Sequence, residues 1–158
     1  MLKSSKIILV ARGGSGKDYL RKKFQARGFK FGVSYTSRPI RPGEKEGEDY
    51  FYVDDAYFKN NVHQFYEIDE FNGWKYGRKI TDFEKYDVFL MTPRGIKNIR
   101  LIDRKKCFII YLDIPREVIA ERLTKRKDAD SAIRRMLADD KDFEGFVDYD
   151  LRVTNPDF

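Results

Sequence analysis

Apolar residues fall along this chain in short unbroken runs, and each run gives way to a segment of different period. Ile7-Ile8-Leu9-Val10, Val88-Phe89-Leu90-Met91 and Phe108-Ile109-Ile110-Tyr111-Leu112 have no alternation, the pattern of strands buried on both faces. Leu20 and Phe24, four apart after the first run, predict a helix that stops at Gly28. Pro93 opens a second predicted helix running to about Ile102, and Pro115 a third running to near Lys125. A further helix holds Arg134-Arg135, and Leu151-Arg152-Val153-Thr154 reads as the last strand. Strands alternating with helices in this way predict an α/β fold, with a parallel sheet flanked by helices on both faces.

The stretch between the first and second runs has a different grammar. Phe29 to Thr36 reads as extended. Asp54 is placed to cap a short helix bearing Ala56, Tyr57 and Phe58. Phe65-Tyr66-Glu67-Ile68 and Trp74-Lys75-Tyr76 read as two strands around a turn at Asn72-Gly73. The expectation is one domain over 1–158. Its core comprises 1–33 and 81–158, with a small mixed α/β lobe inserted at 34–80 and a helical lid at about 122–136. The clustered aromatics of the insert read as its core rather than as a stacking surface.

Bulk properties narrow the class. A chain of 158 residues, 41% hydrophobic and 37% charged, suits one folded domain. No apolar run approaches the roughly 20 residues of a membrane span, and the amino terminus has no signal-peptide pattern. A single cysteine, Cys107, excludes an intrachain disulfide and suits a reducing cytoplasm. With one cysteine and one histidine, a zinc site is not expected. The net charge of +6 is spread among 26 acidic residues rather than gathered in a block, so it fits a ligand rich in phosphate and gives no specific reason to expect nucleic acid.

The first strand ends in Ala11-Arg12-Gly13-Gly14-Ser15-Gly16-Lys17-Asp18. Strand, glycine-rich turn and helix in that order make a P-loop arrangement. Its amides point into one hollow, which the helix dipole and the Lys17 ammonium also face, so the loop is built for a polyphosphate. Gly13, Gly14, Ser15, Gly16 and Lys17 are the expected contacts. Two positions depart from G-x-x-x-x-G-K-[ST]: Ala11 stands for the first glycine and Asp18 for the hydroxyl residue that ligates magnesium. A carboxylate is also a hard oxygen ligand, which makes Asp18 the candidate metal residue.

A second stretch reads Ser34-Tyr35-Thr36-Ser37-Arg38-Pro39-Ile40-Arg41-Pro42-Gly43-Glu44, with Gly47-Glu48-Asp49-Tyr50 after it. Two arginine forks three apart, stiffened by prolines, suit bidentate grip on phosphate oxygens. With the P-loop, Glu67 and Gly73-Trp74-Lys75-Tyr76-Gly77, this order resembles the guanylate kinase family over nearly the whole chain, from about Lys6 to Asn155.

The resemblance implies transfer of the terminal phosphoryl group of ATP, with Mg²⁺, to GMP or dGMP. Ser34, Arg38, Arg41, Tyr50 and Tyr76 match the residues that hold the monophosphate's phosphate, and Glu67 matches the carboxylate that reads guanine. Two base-side positions differ: Arg78 stands for a serine, and Thr92, in Leu90-Met91-Thr92, for an aspartate. Arg126 and Arg135 match lid arginines that close over ATP, with Arg122 and Arg134 as further candidates. Asn155 matches a position beside the ATP base. Lys17, Arg38, Arg126 and Arg135 are thereby the expected catalytic set. Two other readings stay open: a deoxynucleoside monophosphate kinase of other or broader base preference, and a noncatalytic guanylate-kinase-like interaction module. Retention of Gly14, Gly16 and Lys17 argues against the module.

Overall fold

The computed structural model describes residues 5–125, 127 and 129–158, without the side chains of 129–131. In chain order the elements are β1 (Lys6–Ala11), α1 (Lys17–Ala26), β2 (Ser34–Thr36), β3 (Tyr50–Tyr52), α2 (Asp55–Asn60), β4 (Phe65–Phe71) and β5 (Trp74–Lys79). They continue as β6 (Val88–Met91), α3 (Pro93–Asn98), α4 (Leu101–Arg104), β7 (Cys107–Leu112), α5 (Arg116–Thr124), α6 (Ala129–Phe143) and β8 (Leu151–Val153).

Four strands form a parallel sheet in the order β6-β1-β7-β8. Ile8, Leu9 and Val10 are fully buried, which is why that run shows no polar alternation. On one side Ile8, Val10, Ile109 and Tyr111 pack with Phe89, Met91 and Phe143. A second cluster joins Leu112 to Ile119 and Leu123 of α5 and to Met136 of α6. The glycine-rich loop leaves the carboxyl end of β1, the edge at which open α/β sheets bind ligands.

The second sheet runs β3-β2-β5-β4 and is mixed, with β2 and β3 parallel and the other pairs antiparallel. Asp54 caps α2 by accepting from the Tyr57 N–H at 2.8 Å. Asn72 and Gly73 both have positive φ, 52° and 79°, as a two-residue hairpin turn requires. One face holds aromatics: Tyr35 stacks on Tyr57 at 5.7 Å, and Phe58 meets Phe65 at 5.2 Å. Gly77 is their seat, because a Cβ there would come within 2.7 Å of Phe65.

The other face is polar, and a bulge makes it so. Phe65 pairs with Lys79 but Glu67 pairs with Arg78, so the register shifts between them. Without the shift, Phe65 and Glu67, two apart, would share a face. The extra residue turns Phe65 toward the aromatics and Glu67 toward Arg78 on the opposite side. The pairs Ser34–Tyr50, Thr36–Tyr52 and Thr36–Tyr76 set those residues on that same polar face.

The helix expected from Pro93 to about Ile102 is two helices. Ile99 and Arg100 have extended ψ values of 132° and 140° between α3 and α4. The break lets Ile99 enter the core and turns Asp103 inward, where it accepts from Tyr66 Oη at 3.1 Å. Pro115 is the residue before α5 rather than its first turn. Of the stretch 29–36, only Ser34–Thr36 is a strand, with Phe31 adding one parallel bridge to Val88. Cys107 is half-buried, its thiol pushed up to about 11 by burial. Among the described residues no helix is long and apolar enough to cross a membrane.

Candidate active site

The phosphate loop is shaped by two glycines in left-handed conformation, Gly14 at φ 79° and Gly16 at φ 94°. Gly14 also lies where a Cβ would press on Leu123 at 3.2 Å, so loop and α5 fit closely. Ser15 is fully buried, and its hydroxyl donates to the Arg12 carbonyl, holding the turn from inside. Lys17 opens α1 directly after Gly16. Among the described residues, no hydrogen bond or ion pair engages its ammonium. Desolvation lowers its pKa; Asp18 and Asp139 oppose that shift, while Arg135 and Arg78 add to it. The ammonium thus lies among charges of both signs with no direct partner among the described residues, and a bound anion would reverse its desolvation cost. Asp18 is exposed in the first turn of α1.

An open cleft of about 610 Å³ lies over this loop, lined by Gly13, Gly14, Lys17, Asp18, Arg122 and Phe158 among others. Arg122 ties two of its walls together, donating to the Gly14 carbonyl and the Pro156 carbonyl, each at 3.2 Å. Phe158 packs toward Tyr19 with ring centroids 6.3 Å apart. Asn155 is exposed, and its side-chain oxygen accepts from the Asp157 N–H at 2.9 Å rather than lining the cleft.

The polar face of the second sheet gathers Ser34, Tyr50 and Tyr76, with Tyr50 and Tyr76 in edge contact at 6.1 Å. Arg38 is buried beside them, its guanidinium 5.4 Å from the Tyr50 ring. Its fork is already engaged: Glu44 accepts from both terminal nitrogens, at 3.1 and 2.9 Å. Glu44 also accepts from Tyr52 Oη at 2.6 Å and the Arg41 N–H at 3.0 Å. Burial favours its neutral form, yet these bonds, Arg38's foremost, hold its carboxyl down to about 2. Arg41 is exposed, and only its backbone is bonded among the described residues.

Glu67 lies where the two sheets meet. Its side chain is wholly buried, and it accepts from Arg78 Nη1 at 2.9 Å and the Thr92 N–H at 3.4 Å. The Thr92 hydroxyl donates to its other oxygen while accepting from the Gly95 N–H at 3.2 Å, so one side chain caps α3 and holds the carboxylate. Gly95 must lack a side chain, since a Cβ there would come within 2.6 Å of Glu67 Oε1. The Arg78 Nε is buried and, among the described residues, has no hydrogen-bond partner.

In this chain a P-loop on a parallel sheet faces a second sheet whose polar side presents arginine, tyrosines and a buried glutamate. The family model for guanylate kinase matches residues 3–158. The chain belongs to the guanylate kinase family. Guanylate kinase of Legionella pneumophila (strain Paris) is 34% identical over 96% of this chain and 78% of its own. That of Coxiella burnetii is 31% identical over 100% of this chain and 82% of its own. The crystal structure of guanylate kinase from Anaplasma phagocytophilum superposes with a TM-score of 0.67 at 24% identity, over 98% of this chain and 79% of that one, a match of fold. As a member of the family the chain is a nucleotide-binding phosphotransferase, a nucleoside monophosphate kinase.

Against that family pattern, the structure brings together Gly13, Gly14, Ser15, Gly16 and Lys17 in one loop, and Ser34, Arg38, Tyr50 and Tyr76 in one patch. Glu67, Arg78 and Thr92 form a third group. Arg135, on α6, donates through Nε to Asp139 at 3.1 Å and lies 5.1 Å over the Phe71 ring. Arg134 is exposed. Arg126 lies outside the described residues. Sequence reasoning missed Arg12, which donates to Asp140 at 2.5 Å, and Asp139, which accepts from the Gly13 N–H at 3.2 Å. The Arg135–Asp139 spacing of four on a helix was a readable signal for that pair; the contact with a loop 126 residues away was not.

Proposed function

We propose that this kinase moves the γ-phosphoryl group of ATP to GMP or dGMP in a magnesium-dependent reaction. The observation that carries the reading is Glu67, a buried carboxylate at the junction of the two sheets. Its Oε1 accepts from Arg78 and the Thr92 N–H, and its Oε2 from the Thr92 hydroxyl. One acceptor position is therefore open, and the second opens when Arg78 or Thr92 swings away to admit the base. Guanine presents N1–H and the 2-amino group side by side, which a carboxylate matches with two acceptors. Its O6 is an acceptor of the kind the buried Arg78 Nε lacks. Adenine offers an acceptor at N1 and no 2-amino group, leaving Glu67 facing a lone pair.

In this reading an acceptor phosphate oxygen attacks the γ-phosphorus, the bond to the β-phosphate oxygen breaks, and ADP and a nucleoside diphosphate leave. Positioning and charge neutralisation supply most of the acceleration. The loop amides and Lys17 hold the donor's phosphates. Arg41, whose guanidinium is exposed, grips the acceptor phosphate with Ser34, Tyr50 and Tyr76. Arg38, its charge balanced by Glu44, fixes the shape of that patch and can grip phosphate only by releasing that carboxylate. Arg135 and Arg126 neutralise the migrating group. The residues present fit magnesium as substrate-borne Mg²⁺ is commonly held, by one carboxylate, Asp18, together with phosphates. Asp18 would hold the ion there, and the ion would supply neutralisation of phosphate charge. The lobe at 34–80 and the segment at about 122–136 close over the two nucleotides and exclude water.

The test is a panel assay: ATP with each ribo- and deoxynucleoside monophosphate, with and without magnesium, on wild type and Glu67→Ala. GMP or dGMP is expected to be the best acceptor, and the variant should lose up to about 10⁴ in kcat/KM for guanine while other bases change little. A pyrimidine nucleotide as best acceptor would overturn the guanine assignment and favour the broader reading, to which Thr92 and Arg78 belong.

A further inference from the structure

Two successive carboxylates fasten α6 to the phosphate loop. Asp140 accepts from Arg12 at 2.5 Å and from Arg116 Nη2 at 2.9 Å. Asp139, buried, turns the other way: Oδ2 accepts from the Gly13 N–H at 3.2 Å, and Oδ1 from Arg135 Nε at 3.1 Å. One carboxylate thus touches both the loop that cradles phosphate and an arginine one helical turn away. The same guanidinium lies over the Phe71 ring of β4 at 5.1 Å, so Arg135 touches both α6 and the second sheet. The bond to Asp139 uses only Nε–H. Among the described residues, no hydrogen bond takes the two terminal nitrogens, the pair that forms a fork for phosphate oxygens.

We propose that Asp139 is a positioning residue for phosphoryl transfer: it fixes the Arg135 guanidinium at a set distance from the P-loop, so that its fork meets the migrating group. This rests on the reading above, in which Arg135 neutralises that group. An arginine side chain has many rotamers, and an exposed one on a helix would lose most of that freedom on meeting a phosphate. A buried carboxylate anchored to the loop itself removes that loss in advance and moves with the loop. The opposing role is also concrete: a carboxylate on a P-loop amide could compete with the nucleotide for that amide and act as a brake.

The full-length chain distinguishes them. Asp139→Ala, Asp139→Asn, Arg135→Ala and the double variant Asp139→Ala/Arg135→Ala are compared for kcat, for KM of each nucleotide, and for ATP binding by calorimetry without acceptor. Asp139→Ala is expected to lower kcat by about 10² with acceptor KM nearly unchanged, the scale of misplacing a reacting group by an ångström. The double variant should be no slower than Arg135→Ala alone, because Asp139 acts through Arg135. Asp139→Asn keeps an acceptor for Gly13 but loses the charge on Arg135, and should fall between wild type and Ala; it also carries the comparison if the Ala variant does not fold. Losses that multiply in the double variant, a change confined to the KM of ATP, or tighter ATP binding without Asp139 would each overturn the proposal. Wild type inactive toward every monophosphate would instead strike the kinase reading on which it rests.

Discussion

Lys17 has an ammonium that is half-buried and unengaged among the described residues, with its pKa lowered by desolvation. Such a group adds little to the free protein's stability and much to the affinity for an anion. Lys17→Ala is therefore expected to cost about 10²–10³ in kcat, with the thermal midpoint scarcely moved; turnover near wild type would remove Lys17 from the chemistry. Glu44 is the opposite case, a carboxylate spent on structure. Its folded pKa of about 2 lies below the ordinary 4.5, so the ionised form stabilises the fold. That contribution is fully present above pH 4.5 and is lost as pH falls through about 2. Glu44→Gln should lower the melting temperature at neutral pH, and the two melting curves should converge as pH approaches 2. A constant gap across that window would mean the charge of Glu44 is immaterial.

At the scale of elements, the close approach of α3 to β4 decides the geometry around Glu67. Gly95, in the first turn of α3, leaves room for Glu67, whose Oε1 would lie only 2.6 Å from a Cβ at that position. Gly95→Ala must push the carboxylate, and with it Arg78 and Thr92, out of place. We expect a loss of about 1–3 kcal/mol in stability, typical of overpacking, and a rise in the KM of the guanine nucleotide larger than any change for ATP. Chemical denaturation and steady-state kinetics check the two halves separately. The bulge in β4 works at the same scale: one extra residue assigns Phe65 to the aromatic face of the second sheet and Glu67 to the polar face.

For the whole molecule, much was legible because local rules are strong where a strand is buried on both sides. The unbroken apolar runs became β1, β6 and β7, and the glycine pattern became a loop with the positive φ values it needs. Asp54 capped α2 and Asn72-Gly73 turned the hairpin, since caps and two-residue turns depend on neighbours in sequence alone. The helix from Pro93 to about Ile102 was not legible as two, because the break serves Ile99 and Asp103 in a core assembled from distant strands. The order of Ser34, Arg38, Arg41, Tyr50, Glu67 and Tyr76 belongs to the sequence. That Arg38 spends its fork on Glu44, that Glu67 is gripped by Arg78 and Thr92, and that Asp139 reaches the Gly13 N–H were decided only in three dimensions. The physical reason is the same each time. A buried charge takes whatever partner the packed chain brings within about 3 Å, and which partner that is depends on where two sheets and a helix come to rest, not on spacing along the chain.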